Sequence, residues 1–179
     1  DCAANRTRFA TVYTGGFAES GTPDGKRMQA DLVSFARGAG MRVMGPNCNG
    51  MISFVDGFAM TTSATIAGPR KSPGNIGVVS QSGGAGQTNV MWRAQELGLG
   101  ISYQVSCGNS ADLNILDFMQ FMIDDPATDV IMVLAEHIPD GERLFEVAQH
   151  AADKEKPIVM VKLGRTEAGS QAAASHTGA

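Results

Sequence analysis

The sequence predicts an α/β fold built on a parallel, doubly wound sheet. Three observations lead there: apolar runs rich in Val and Ile recur along the second half of the chain, stretches with apolar residues at helical spacing separate them, and Gly-rich turns close them. Strands covered on both faces read as continuous apolar runs, and parallel neighbours need a helical crossover between them. Glycine accounts for 22 of 179 residues and clusters where those runs end, the place where an α/β protein bends tightly or meets a ligand.

The elements follow in order. "FATVYT" (9–14) is a short β-rich run ended by Gly15-Gly16. After "TPDG" comes a helix with Met28, Leu32, Phe35, Ala36 and Ala39 on one face, closed by Gly38 and Gly40. "MRVMG" (41–45) is the next strand and runs into the turn Gly45-Pro46-Asn47. "MISF" and "FAMTT" form a short β excursion, and "AGPRKSPGN" (67–75) has the Gly and Pro content of a linker. From there strand and helix alternate. "IGVVS" (76–80) is a buried strand, and "QSGGAGQ" opens a helix carrying Val90, Met91, Ala94 and Leu97. "ISYQVS" (101–106) is a strand followed by an apolar helix over 113–123. "VIMVLA" (130–135) is a strand, Pro139-Asp140-Gly141 caps a helix with Leu144, Phe145, Ala148, Ala151 and Ala152 inward, and "PIVMVKLG" (157–164) is the last strand. The division expected is a first unit over 1–70 and a second over 71–179. Two strands and one helix cannot cover both faces of a parallel sheet, so the first unit reads as part of a larger domain and the chain as an excerpt of a longer polypeptide.

Composition narrows the function. Hydrophobic residues make up 43% and charged residues 18%, the balance of a globular protein. A net charge of −4 without a Lys/Arg run gives no electrostatic footprint for nucleic acid or an acidic membrane surface, and no apolar run is long enough to span a bilayer. Three cysteines, Cys2, Cys48 and Cys107, form no C-x-x-C and suit a reducing cytoplasm. No His/Cys cluster has metal-ligand spacing.

In doubly wound folds ligands bind beyond the C-terminal strand ends. Those ends carry Ser80-Gln81-Ser82-Gly83-Gly84, Cys107-Gly108-Asn109, Glu136-His137 and Gly164-Arg165. Small residues and hydroxyls at a helix start let backbone N–H groups and the helix dipole face an anion; the same glycines also serve tight strand–helix packing, and both readings stand. The loop lacks the Gly-Lys-Ser/Thr of a Walker A motif, and Ser80 occupies the first Gly of a G-x-S-x-G elbow. Glu136 is placed either as a functional carboxylate or as a solvated strand-end charge. His137 and His150 read as surface residues. His176 is a lone histidine among Gly, Ala, Ser and Thr, with room around its ring for a bulky group, or simply a loop residue.

Taken together, "GFAESG", "GPNCNG", "GNIGVVSQSGGAG", "SCGNSADLNILDF", "DDPATDVIMVLAEHIPDGERL" and "KPIVMVKLGRTEAGSQAAASHTGA" resemble the nucleoside-diphosphate-forming acyl-CoA synthetases. That superfamily includes succinyl-CoA ligase α subunits and ADP-forming acetyl-CoA synthetases, and "GNSAD" and "SHTG" are closer to the ADP-forming branch. The resemblance implies the C-terminal part of a Rossmann-like CoA-binding domain followed by a flavodoxin-like doubly wound parallel sheet. It implies interconversion of acyl-CoA, phosphate and NDP with carboxylate, CoA and NTP through acyl phosphate and phosphohistidine. By the motifs, His176 is the phosphorylated nucleophile, Glu136 the carboxylate orienting its ring, and Ser82, Gly83 and Gly84 the helix start that cradles the phosphate. Tyr13, Thr14 and Gly15 fall at the CoA contact; Asn47, Cys48, Asn49 and Gln87 fall at the acyl and thioester end. ATP or GTP and Mg²⁺ would be bound by ATP-grasp domains absent from this chain, in a cytoplasmic, oligomeric enzyme. Asn49 replaces the Pro of the succinyl-CoA ligase motif and Gln87 its substrate-contacting Tyr, which leaves the acid open. The alternatives are a non-catalytic CoA-sensing module of a protein acetyltransferase fusion, and a plain flavodoxin-like binder.

Overall fold

A computed structural model describes residues 1–64, 73–164, 166 and 169. Strands β1 (Phe9–Thr11) and β2 (Arg42–Met44) pair in parallel, Phe9 opposite Arg42, with helix α1 (Pro23–Gly38) as their crossover. Thr22 starts α1: its hydroxyl accepts from the Gly25 amide at 3.0 Å, and Pro23 supplies a preset φ at the first helical position. Ala36 of α1 packs with Met41 and Val43 in a small core that Leu32 completes.

A six-stranded sheet forms the rest, in the order β4-β3-β6-β5-β7-β8. Strands β5 (Pro73–Ser80), β6 (Ile101–Ser106), β7 (Val130–Ala135) and β8 (Ile158–Lys162) are parallel, as their apolar runs predict. Their order, 2-1-3-4 counted from β5, is that of flavodoxin-like folds, with the switch point between β5 and β7. The hairpin β3 (Gly50–Ser53) and β4 (Phe58–Thr61) adds to the β6 edge in antiparallel register, Gly50 opposite Ser106. The β excursion of the first half is therefore part of the second half's sheet. Each strand is four residues long, too short for a side-chain pattern to specify its partner.

Helices α3 (Ile115–Asp124) and α4 (Gly141–Asp153) cover one face, and α2 (Met91–Glu96), continuous with a π-helical stretch over Gly83–Val90, covers the other. On α3, Ile115, Leu116, Met119, Met122 and Ile123 are 0–1% exposed. Each such burial stabilises the fold by about 1.5–3 kcal/mol, which makes α3 the main anchor of that face. Asn114 and Asp117 close its N-terminus in a reciprocal capping box. On β5, Val79 faces α3 while Val78 faces Met91, which explains a strand apolar at consecutive positions.

Several expected faces turn differently. Met28 and Phe35 of α1, Leu97 just past α2, and Phe145, Ala148 and Ala152 of α4 are exposed. On α4 the buried stripe is Leu144–Val147–Ala151, one residue round from the one predicted, because the helix touches the sheet along a single narrow line. The linker read over 67–75 lies outside the described residues up to 72; residues 73–75 open β5.

Candidate functional site

The loop after β5 holds the densest set of constraints. Ser82 has extended backbone angles and caps the π-helical stretch, its Oγ accepting from the Ala85 amide at 3.3 Å. Ser80 Oγ donates to the Ser82 carbonyl at 2.6 Å, and a Cβ on Gly86 would lie 1.9 Å from that same hydroxyl oxygen. Gln104 of β6 donates to the Gly86 carbonyl at 2.9 Å, which fixes the stretch from below. The glycines divide the two roles left open by the sequence. Gly83 and Gly86 are closely packed, Gly83 against Asn49, whose Cγ would stand 2.3 Å from an added Cβ; Gly84 faces open space. No acidic residue stands in the first turn, so the positive end of the helical dipole is not neutralised there.

Asn49 belongs to the loop between β2 and β3. That loop starts with a cis peptide between Gly45 and Pro46, passes through Asn47 at φ 56° and returns into β3. It is tied across the molecule. The Asn109 amide donates to the Pro46 carbonyl and the Ala111 amide to the Gly45 carbonyl, both at 3.0 Å. Gly108 sits so close that a Cβ would lie 2.3 Å from the Pro46 and Asn47 carbonyl oxygens. The Asn49 amide donates to Ser106 Oγ at 3.3 Å, and its carbonyl accepts from Thr61 Oγ1 at 2.6 Å. Gln87, fully buried, accepts from the same threonine at 3.1 Å and donates to the Gly50 carbonyl at 3.3 Å. The structure thus brings Asn49, Gln87 and the Ser82–Gly84 helix start together.

Tyr13, Thr14 and Gly15 follow β1 and are exposed, with the Thr14 carbonyl accepting from the Asn47 amide at 3.0 Å. Cys48 beside them is buried and donates to the Val12 carbonyl at 3.4 Å. Burial pushes its thiol up to about 11, so at neutral pH it is a packed thiol and not a thiolate. Glu19 accepts from the Gly16 and Phe17 amides and from Asn109 Nδ2. Burial raises its carboxyl, and those hydrogen bonds outweigh burial to hold it below the usual carboxylate range.

Glu136, 8% exposed, directly follows β7 on the other side of β5. Gln81 Oε1 accepts from the amides of Glu136, at 2.6 Å, and His137, at 2.8 Å, and Lys162 Nζ donates to the Glu136 carbonyl at 2.7 Å. His150 pairs with Asp124 at 2.7 Å, away from these loops. His176 lies outside the described residues. Among the described residues no group of three or more His, Cys, Asp and Glu could hold a metal ion, and no helix is long and apolar enough to cross a membrane.

Sequence reasoning passed over Gln81, Glu19 and Asp112. The Asp112 side chain is fully buried and accepts from Arg37 at 2.8 Å, from Arg42 at 2.9 Å and from the Val43 amide at 2.8 Å. The available signal was "GNSAD" itself: Gly108, Asn109 and Asp112 each reach across to the β1–β2 unit.

A helix start free of acidic side chains at the end of β5, in contact with a second loop and bonded through Gln81 to the turn of Glu136, places the chain in the class of α/β proteins whose strand ends can offer an anion a site. The family is narrower than that class. Residues 73–179 match the succinyl-CoA ligase like flavodoxin domain, and the chain belongs to that family. It is 37% identical over 178 residues to the α subunit of an ADP-forming acetate–CoA ligase I from Pyrococcus furiosus, covering 99% of this chain and 37% of that protein. It is 33% identical over 180 residues to an ADP-forming 4-hydroxybutyrate–CoA ligase from Nitrosopumilus maritimus, of which it covers 25%. Among solved structures, a dinucleotide-forming acetyl-coenzyme A synthetase 1 from Ca. Korarchaeum cryptofilum, in complex with phosphate and ADP, superposes with a TM-score of 0.87 at 38% identity, covering all of this chain and 37% of that one. The chain thus spans a quarter to little more than a third of the length of these relatives.

Proposed function

We propose that this chain is the CoA- and phosphate-handling part of an NDP-forming acyl-CoA ligase. The observation that carries the reading is the contact of Asn49 with Gly83, which sets the loop assigned to the thioester against the helix start assigned to phosphate. An acyl group leaving sulfur for a phosphate oxygen has to cross that boundary. The relatives, named as CoA ligases for acetate and 4-hydroxybutyrate, support the reaction class and leave the acid open.

Phosphate attacks the acyl-CoA carbonyl, the C–S bond breaks, and acyl phosphate and CoA result. The His176 ring nitrogen then takes the phosphoryl group, the P–O bond to the acyl oxygen breaks, and the carboxylate departs. Phosphohistidine finally passes its phosphoryl group to NDP, giving NTP. Phosphoryl transfer demands positioning and charge neutralisation above all, which a helix start of small residues provides. Ser82, Gly83 and Gly84 hold the transferring group, and Glu136 holds one imidazole nitrogen so that the other faces phosphorus, the same orienting role an acid plays in a Ser-His-Asp triad. Tyr13, Thr14 and Gly15 contact CoA; Asn47, Cys48, Asn49 and Gln87 wall the acyl end. Cys48 acts there through its packing, its thiol being protonated at neutral pH. Residues 1–70 are the remainder of a CoA-binding unit, apart from the hairpin β3–β4 that pairs into the second sheet, and 71–179 are the phosphohistidine-bearing unit. ATP or GTP and Mg²⁺ belong to ATP-grasp segments outside this chain, which supply the nucleotide and the metal charge for its transfer, and the assembled enzyme works in the cytoplasm as an oligomer.

The test is phosphoenzyme formation. The full-length protein, incubated with γ-labelled ATP or GTP and Mg²⁺, takes up acid-labile, base-stable label, and His176→Asn abolishes it. Undiminished label in that variant would remove His176 from the reaction, and absence of label on the wild type would leave the CoA-sensing alternative in its place.

A further inference from the structure

Gln81 stands between the two serines of the β5 loop and is 3% exposed. Its side-chain carbonyl is the acceptor for two successive amides, those of Glu136 and His137. Its main chain is engaged as well: the amide donates to the Leu134 carbonyl at 3.3 Å and the carbonyl accepts from the Gly108 amide at 3.1 Å. One residue therefore joins the ends of β5, β6 and β7. The Glu136 backbone is held from both sides, its amide by Gln81 and its carbonyl by Lys162.

The chemistry of the position is narrow. Two converging N–H groups require an acceptor, which excludes Lys and Arg. A Glu would accept, but it would place a second negative charge beside Glu136 and the phosphate loop. Asn would withdraw the carbonyl by one methylene. A neutral acceptor of this reach is Gln. We infer that Gln81 is the positioning residue for the Glu136 carboxylate, fixing the turn that carries it relative to the helix start at Ser82. This rests on the reading of Glu136 as the group that orients the phosphorylated histidine.

The test is a double-mutant cycle in the full-length protein, reading the rate of phosphohistidine formation from labelled NTP. Glu136→Gln slows it. Gln81→Asn slows it by about 10- to 100-fold, the range expected when a reacting geometry shifts by about 1 Å. The expected KM for NTP stays within about two-fold, because the substitution moves a turn and not the nucleotide site. In the double variant the rate falls no further than in Glu136→Gln alone, because Gln81 acts through Glu136. Gln81→Met, of similar length but without the acceptor, must reproduce the slowing. Two results overturn the inference and leave the function standing: slow Glu136→Gln with fast Gln81→Asn and Gln81→Met, or effects that multiply in the double variant. Glu136→Gln at the wild-type rate would instead remove the role assigned to Glu136, and the inference with it.

Discussion

Asp112→Ala is the most informative stability variant, because one carboxylate joins the β1–β2 unit to the large sheet. In the native structure it accepts from Arg37, Arg42 and the Val43 amide. Removing it leaves the Val43 N–H, on a fully buried residue, without that acceptor, which costs about 1–3 kcal/mol. The two guanidinium groups are 60% and 49% exposed and are rehydrated when released, so each adds only about 0–1 kcal/mol. Together these come to about 1–5 kcal/mol, and a mid-range loss of about 2–3 kcal/mol corresponds to about 30- to 150-fold faster exchange of the Val43 amide if the unit opens locally. Hydrogen exchange read by mass spectrometry on peptides spanning 41–46 measures this, with the α3 amides as an internal reference that should not change. The pH dependence fixes the cause. Burial alone would raise the Asp112 carboxyl; Arg42, the Val43 amide and Arg37 outweigh it and hold the group below the usual carboxylate range. A depressed folded pKa means the contribution is fully present above the unfolded value of about 3.9 and disappears as pH falls through the lower folded one. Wild type should therefore lose its excess protection in acid below that value, and Asp112→Ala should have none to lose. Exchange at Val43 within three-fold of wild type at pH 7 would refute the reasoning.

Gly83→Ala should displace Asn49 and lower the melting temperature, whereas Gly84→Ala, facing open space, should leave it unchanged; recovery of the melting temperature, without recovery of turnover, on adding Asn49→Gly to Gly83→Ala checks that the contact is the cause. Thiol titration of the native 179-residue chain at pH 8 should give one fast-reacting cysteine, the exposed Cys2, because burial pushes Cys48 up to about 11 and Cys107 to about 12; a second fast equivalent would contradict this. Gly86→Ala should be severely destabilising, since its Cβ would overlap Ser80 Oγ, and should be partly relieved by Ser80→Gly; chemical denaturation measures both.

The sequence made the central parallel strands legible because strands covered on both faces carry Val and Ile runs, interrupted in β6 by the buried Ser102, Gln104 and Ser106. β6 and β7 begin and end where the apolar runs do. The hairpin's destination was not legible: Gly50–Ser53 carries β character, but its pairing with β6 is decided by contacts such as Ser53 opposite Tyr103, which lie 50 residues apart in the chain. Helix faces were legible only to within a residue: on α4 Phe145 and Ala148 are exposed, and their preceding neighbours Leu144 and Val147 face the sheet. Within the candidate site, Ser82, Gly83 and Glu136 were visible as the ends of strands and starts of turns. Gln81 was not, because a glutamine between two serines carries no periodic signal, and its role exists only once β5 and β7 are neighbours.

The placement of β3 and β4 has a consequence for how the chain can be divided. A boundary drawn at residue 72 follows the order of the sequence but cuts across the sheet, stripping β6 of its antiparallel neighbour. The remaining piece would present the bare backbone of Ile101–Ser106, a ready template for self-association. The two halves are thus spliced rather than strung together: the first lends a hairpin to the second, and either one expressed without the other is missing a strand it needs.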